Sequence, residues 1–122
     1  MLKVLIVEDD VQISQMYKYK LELAGYKVAL AMNGVEGLEA AEQFLPELIL
    51  LDLLMPVMAG DEMLEILRSK KWSSNIRVIV LTNISKDEAP AKLRLLGVDR
   101  YIVKAHHTPS QILELIDELL SK

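Results

Sequence analysis

Two spacings of apolar residues alternate along the chain. Short unbroken runs lie at Val4–Val7, Val28–Ala31, Leu48–Leu51, Val78–Leu81 and Tyr101–Val103. Their length and their Val, Ile and Leu content predict strands that are apolar on both faces, as in a parallel sheet covered by helices. Between these runs, apolar residues return every three or four positions. Ile13, Met16, Tyr17, Leu21 and Ala24 form one helical stripe, stopped by Gly25. Ile112, Leu115, Ile116 and Leu119 form another near the end.

Helix starts are marked by capping patterns. NGVE from Asn33 to Glu36 and SKDE from Ser85 to Glu88 each place Glu three positions after a capping residue. TPSQ from Thr108 to Gln111 adds proline at the first helical position. Gly60 opens a third helical segment, which continues through Met63, Leu64 and Leu67. Pro90 fits the fourth segment only if that helix begins near Asp87, with the proline in its first turn. The expectation is five strands alternating with five helices, a (βα)5 α/β fold. It is doubly wound into a three-layer sandwich around a parallel sheet, with right-handed crossovers. The common order for five strands is 2-1-3-4-5, the flavodoxin-like arrangement. There is no internal repeat, low-complexity tract or linker, and 122 residues is the usual size of a single domain, 1–122. In the polar loop SKKWSSN, from Ser69 to Asn75, Trp72 is expected as a partly buried anchor.

Composition narrows the chemistry. With 52% hydrophobic residues the chain can fill a core, which argues against disorder. There is no cysteine, hence no disulfide and no thiolate metal site, and the two histidines, His106 and His107, are adjacent, which is not zinc spacing. They are expected to be loop residues ahead of the Thr108 cap. A net charge of −4 gives no basic footprint for nucleic acid. No apolar run reaches membrane-spanning length or forms a signal peptide, so the expected location is the cytoplasm.

One acid breaks the pattern. Asp52 interrupts the apolar run LILLDLLMP, Leu48 to Pro56, and a carboxylate in such surroundings needs a partner. Open parallel sheets bind ligands at the C-terminal ends of their strands, where the order reverses. In the expected order, strands one and three are neighbours about 4.8 Å apart. Strand one ends in Glu8, Asp9 and Asp10, and strand three ends at Asp52. Of these, Asp10 reads as the N-cap of the first helix. Clustered carboxylates need a cation, and a small set of oxygen ligands suits Mg²⁺. An ionised Asp beside Mg²⁺ can attack phosphorus. Thr82 at the end of strand four offers a hydroxyl, and Lys104 at the end of strand five an ammonium. Both can help Mg²⁺ neutralise phosphoryl oxygens.

These stretches, VLIVEDD, LILLDLLMP followed by Gly60, VIVLTN and GVDRYIVK, resemble a response-regulator receiver domain over essentially the whole chain. The resemblance implies a signalling switch of a two-component system rather than an enzyme, catalysing only its own phosphorylation and slow dephosphorylation. Asp52 would accept a phosphoryl group from the phosphohistidine of a histidine kinase or histidine phosphotransfer protein. It implies that Asp9, Asp52 and the backbone carbonyl of Leu54 bind Mg²⁺ directly, that Glu8 does so through water, and that Thr82 and Lys104 bind phosphoryl oxygens. Thr82 and Tyr101 would form the switch, changing the surface of the fourth helix, fifth strand and fifth helix. The implied partners are the kinase and a downstream protein or fused output domain. A phosphorylation-dependent dimer is also compatible, and no direct contact with nucleic acid or membrane is expected.

Three positions depart from the family's pattern. Ala105 follows Lys104 where proline is usual, and a cis bond there would cost about 2.5–4 kcal/mol, so the reach of Lys104 is an open point. Leu54 and Ile84 flank the path of a hydrolytic water and would orient it poorly, which predicts a long-lived phosphoryl group. Asn83 stands where a smaller residue is usual. Two other readings compete: an interaction module that works without phosphorylation, and a haloacid-dehalogenase-type phosphatase. The phosphatase would need a second Asp at position 54. A flavin-binding domain of the same topology is disfavoured, because EDD after strand one would repel phosphate.

Overall fold

The computed structural model describes residues 1–121. Five strands, β1 Lys3–Val7, β2 Lys27–Ala31, β3 Leu48–Leu51, β4 Arg77–Thr82 and β5 Arg100–Val103, form one parallel sheet in the order β2-β1-β3-β4-β5. Every residue of β3 and all but the first of β1 and β4 are buried. Their apolar runs are continuous because helices cover both faces.

Among the described residues the four α-helices are α1 Val11–Leu23, α2 Gly34–Phe44, α3 Gly60–Arg68 and α4 Pro109–Leu120. Helices α1 and α4 close one face over Val4, Ile6, Leu48, Leu50 and Ile79. Helices α2 and α3 close the other over Leu5, Val7, Ile49, Leu51 and Val80. Successive strand residues point to opposite faces, so each strand feeds both cores. The caps are those the sequence predicts. Asp10, Asn33 and Thr108 accept from the backbone N–H of Ile13, Glu36 and Gln111 at 3.1, 3.0 and 3.2 Å. Gly25 ends the α1 turn at φ 97°.

The predicted fourth helix is absent, and the helix expected to be the fifth is α4. The chain between β4 and β5 carries two 3-10 turns instead, Lys86–Glu88 and Ala91–Leu95. Pro90 works against an α-helix here. It brings no N–H, and it forces Ala89 before it into an extended conformation, φ −67° and ψ 147°. The SKDE pattern therefore closes only one short turn, and the Ser85 side chain caps nothing. Trp72 lies in a 3-10 turn, Lys71–Ser73, with about two-thirds of its surface covered.

Candidate functional site

The β2-β1-β3 order places the ends of β1 and β3 side by side. Asp52 N–H donates to Val7 O at 3.0 Å and Glu8 N–H to Ala31 O at 3.0 Å, so the ladder carries both acids to the rim in fixed register. Asp52 is 7% exposed and Glu8 5%, while Asp9 is exposed to solvent. One carboxylate oxygen from each of Glu8, Asp9 and Asp52 lies within 4.8 Å of the others. This set contains only hard oxygen donors and is open on the Asp9 side. It fits Mg²⁺, which takes few protein carboxylates and keeps room for water or phosphate.

Each buried oxygen has a partner. Asp52 Oδ1 accepts from the N–H of Leu53 at 2.8 Å and of Leu54 at 3.4 Å, and Oδ2 faces Lys104 Nζ at 3.5 Å. Glu8 Oε1 accepts from Lys104 Nζ at 2.6 Å and Oε2 from the Asp10 N–H at 3.1 Å. Among the described residues no peptide bond is cis. With alanine at 105 and a trans bond, Lys104 still reaches the acids, so its side chain alone supplies the span.

These contacts set the charges. Burial raises the Glu8 carboxyl above its usual range. Lys104 and the Asp10 N–H pull it back, the Asp52 charge pushes it up again, and the net direction is upward. Burial alone would lower the Lys104 ammonium, but the bond to Glu8 and the charges of Asp52 and Glu8 outweigh it and raise it.

Thr82 is fully buried at the end of β4. Its Oγ1 accepts from the Ile84 N–H at 3.4 Å, and the Tyr101 hydroxyl donates to Ile84 O at 2.7 Å. Thr82 and Tyr101 thus hold the same residue from its two backbone sides. Tyr101 is half-buried, and burial with the nearby charges of Asp52 and Glu88 raises its phenol. His106 and His107 are exposed, outside the acid cluster and ahead of the Thr108 cap.

The loop from Asp52 to Gly60 carries features the sequence reading missed. A Cβ on Gly60 would sit 2.1 Å from the Asp52 carbonyl oxygen, so only glycine lets α3 start this close to the acid. Val57 lies at φ 69°, and Gly34 of α2 donates its N–H to Met58 O at 3.0 Å. The motif around Gly60 hinted at the first contact. Nothing in a β-branched residue signals a positive φ, and Gly34 read only as part of a helix cap.

The sequence profile described as the response regulator receiver domain matches residues 4–117. A Bacillus subtilis protein named as an uncharacterized transcriptional regulatory protein, YkoG, is 39% identical over 93% of this chain and 47% of its own length. The chemotaxis protein CheY of Treponema pallidum is 34% identical over 84% of this chain and 72% of its own. The crystal structure of the Thermotoga maritima response regulator TrrA, in complex with Mg²⁺ and BeF, superposes with a TM-score of 0.83. It is 28% identical over 98% of this chain and 99% of that one. The chain spans about half or less of the first curated relatives it matches.

Proposed function

The chain belongs to the response-regulator receiver family, and from that premise we propose that Asp52 is the phosphoryl acceptor of a two-component signalling switch. The observation that carries this is the setting of Asp52. It is a buried carboxylate with one oxygen on two backbone N–H groups and the other toward Lys104, next to Glu8 and Asp9. An Asp52 oxygen attacks the phosphorus of a phosphohistidine. The P–N bond breaks, and the imidazole nitrogen leaves with the electron pair and takes a proton. Asp9, Asp52 and the Leu54 carbonyl would hold Mg²⁺, with Glu8 joining through water. The ion supplies charge neutralisation for the transferring phosphoryl group. Lys104 and Thr82 bind the phosphoryl oxygens.

For Thr82 this means leaving the Ile84 N–H, and Tyr101 answers because it holds the same residue. The surface of the 3-10 segment, β5 and α4 then shifts toward a partner-binding state. The 122 residues act as one receiver domain in the cytoplasm, served by a histidine kinase or phosphotransfer protein. The chain passes the signal to a protein target or fused output domain, without touching nucleic acid or membrane itself. Two findings support this reading: a structural neighbour crystallised with Mg²⁺ and BeF, and relatives named as a hybrid histidine kinase and as transcriptional regulators.

The test is intact mass after incubation with Mg²⁺ and acetyl phosphate. One phosphoryl group on the wild type and none on Asp52→Asn is the expected result. No adduct from either acetyl phosphate or a phosphorylated kinase would leave the phosphorylation-independent interaction module as the better reading.

A further inference from the structure

The loop that crosses the acid cluster is bent at an unfavourable place. Met58 N–H donates to Pro56 O at 2.7 Å across Val57, whose φ is 69°. This is the positive-φ γ-turn, the rare and strained kind. A β-branched residue at its apex is an outlier, and such strain persists only where the surroundings impose it. Val57 itself is 80% exposed, so its own side chain cannot be what imposes it.

The next residue is gripped from another element. Gly34 opens α2, and its N–H is among the first-turn donors that have no partner inside the helix. It donates to Met58 O at 3.0 Å. A Cβ on Gly34 would meet Met58 Cγ at 2.7 Å, Met58 O at 2.8 Å and Met58 Cβ at 2.9 Å. Two of these three atoms cannot move without moving the loop backbone. Helix stability does not explain the glycine, since alanine is the better helix former. At the other end, Gly60 N–H donates to Leu53 O at 3.0 Å and packs on Asp52. The loop is therefore clamped at Met58 and at Leu53, and the strained turn lies between.

We infer that Gly34 is a positioning residue for the metal-binding loop: it admits Met58 against the start of α2, holds the Val57 turn, and so sets how residues 53–56 cross the acid cluster. Gly34 touches no metal ligand and acts only through Met58. The inference rests on the reading of Glu8, Asp9 and Asp52 as the Mg²⁺ site.

The experiment is an Mg²⁺ titration of the full chain followed by backbone amide shifts. It uses the wild type, Gly34→Ala, Val57→Gly and the double variant, with urea melts to establish folding. Gly34→Ala is expected to move the amide resonances of residues 53–58 before any metal is added. It should weaken Mg²⁺ about tenfold, as loss of a ligand's supporting contact does. In the Val57→Gly background the turn no longer needs holding, so Gly34→Ala should weaken Mg²⁺ much less. Unmoved resonances and unchanged affinity in Gly34→Ala, or the same loss in both backgrounds, would overturn the inference. If Gly34→Ala alone does not fold, the double variant is read against Val57→Gly. An Mg²⁺ affinity close to that of Val57→Gly supports the clamp, and a further loss of about tenfold or a double variant that does not fold overturns it. A wild type that binds no Mg²⁺ would instead overturn the metal-site reading itself.

Discussion

Lys104 Nζ lies 2.6 Å from Glu8 Oε1 and 3.5 Å from Asp52 Oδ2. The cation at the end of β5 is thus paired more closely with Glu8 than with Asp52. Both acids are buried, so removing the ammonium leaves Glu8 with only one backbone N–H. Lys104→Met should lower stability by about 2 kcal/mol at neutral pH, less than for a fully buried pair because Lys104 keeps some solvent. Without the ammonium, the folded-state Glu8 carboxyl rises further above its unfolded value. The native form then holds its proton to higher pH, so the deficit is small in acid and grows as pH rises through the raised value. Mg²⁺ should restore part of the loss. Urea melts of both proteins at acidic and neutral pH, with and without Mg²⁺, check this; a pH-independent, metal-independent deficit would show that Glu8 is not the affected group.

Two buried glycines should respond differently to alanine. The Cβ of Gly60→Ala would lie 2.1 Å from the Asp52 carbonyl oxygen, a backbone atom fixed by the sheet. That substitution is expected to cost more than about 3 kcal/mol or to abolish folding. The Cβ of Gly37→Ala would meet Met63 Sδ at 2.8 Å and Cε at 3.0 Å, the far part of a flexible side chain. It would also meet Val7 Cγ1 at 3.1 Å, a side-chain contact that a shift of a few tenths of an ångström relieves. Its clash is offset by better helix propensity, so the net change should stay within about 1 kcal/mol. Equal losses in urea melts would contradict the distinction between fixed and yielding neighbours.

If Asp52 accepts a phosphoryl group, two apolar side chains predict a long lifetime for it. Leu54 is 63% exposed two residues after Asp52. Ile84 is half-buried two residues after Thr82, with its N–H and carbonyl engaged by Thr82 and Tyr101. Neither side chain can hydrogen-bond an attacking water. A positioned polar group commonly contributes a factor of about 100 or more to such a step. Leu54→Asn is therefore expected to shorten the lifetime of the phosphorylated protein by at least about tenfold. The decay of the mass adduct in Mg²⁺ measures it, and a wild type that decays as fast as the variant would refute the argument.

What the sequence made legible was whatever depends on burial and on strand ends. All five strands fall within a residue of their apolar runs, because a covered parallel sheet needs apolar residues on both faces. Once the order is 2-1-3-4-5, Glu8, Asp9 and Asp52 must meet, and they do. Features set by backbone geometry were hidden. The Val57 turn contradicts its own residue type, and Gly34 acts through a residue on another loop. The Lys104–Glu8 pairing depends on side-chain reach, which spacing along the chain does not encode. The fourth helix failed for the opposite reason: its local signals favoured a helix, while Pro90 and the contacts of Lys92, Leu93 and Leu96 hold the segment in 3-10 turns.

Tyr17 gives a test at high pH. It is 6% exposed between α1 and the sheet, and burial, followed by the Glu8 charge, pushes its phenol up to about 12. In the unfolded chain a tyrosine ionises near 10. The folded form therefore keeps its proton where the unfolded form has lost it. The stability this provides is fully present below pH about 10 and is lost as pH rises toward 12. Tyr17→Phe has no such proton. Its stability should decline less steeply than that of the wild type over that interval, in urea melts at stepped alkaline pH. Parallel declines would mean that Tyr17 is not the group responsible.

Pro90→Ala tests whether the proline alone keeps the segment between β4 and β5 from becoming an α-helix. The residues after it, Ala91 to Leu96, are strong helix formers, and Gly97 follows at φ 69°, a common way to end a helix. Alanine at 90 restores the missing N–H and frees Ala89 from its extended conformation. A proline inside a helix is disfavoured by about 3 kcal/mol relative to alanine, enough to reverse the local preference. Residues 87–95 should then show helical Cα shifts and the protein a gain in far-UV helical signal. Three contacts oppose the change by holding the segment as it stands. Leu93 is buried, Lys92 reaches Asp61 at 3.3 Å and Glu65 at 3.5 Å, and Arg68 Nε donates to Leu96 O at 2.8 Å. Unchanged shifts in Pro90→Ala would mean that these contacts, not the proline, impose the 3-10 form. In that case Lys92→Ala added to Pro90→Ala should release the helix.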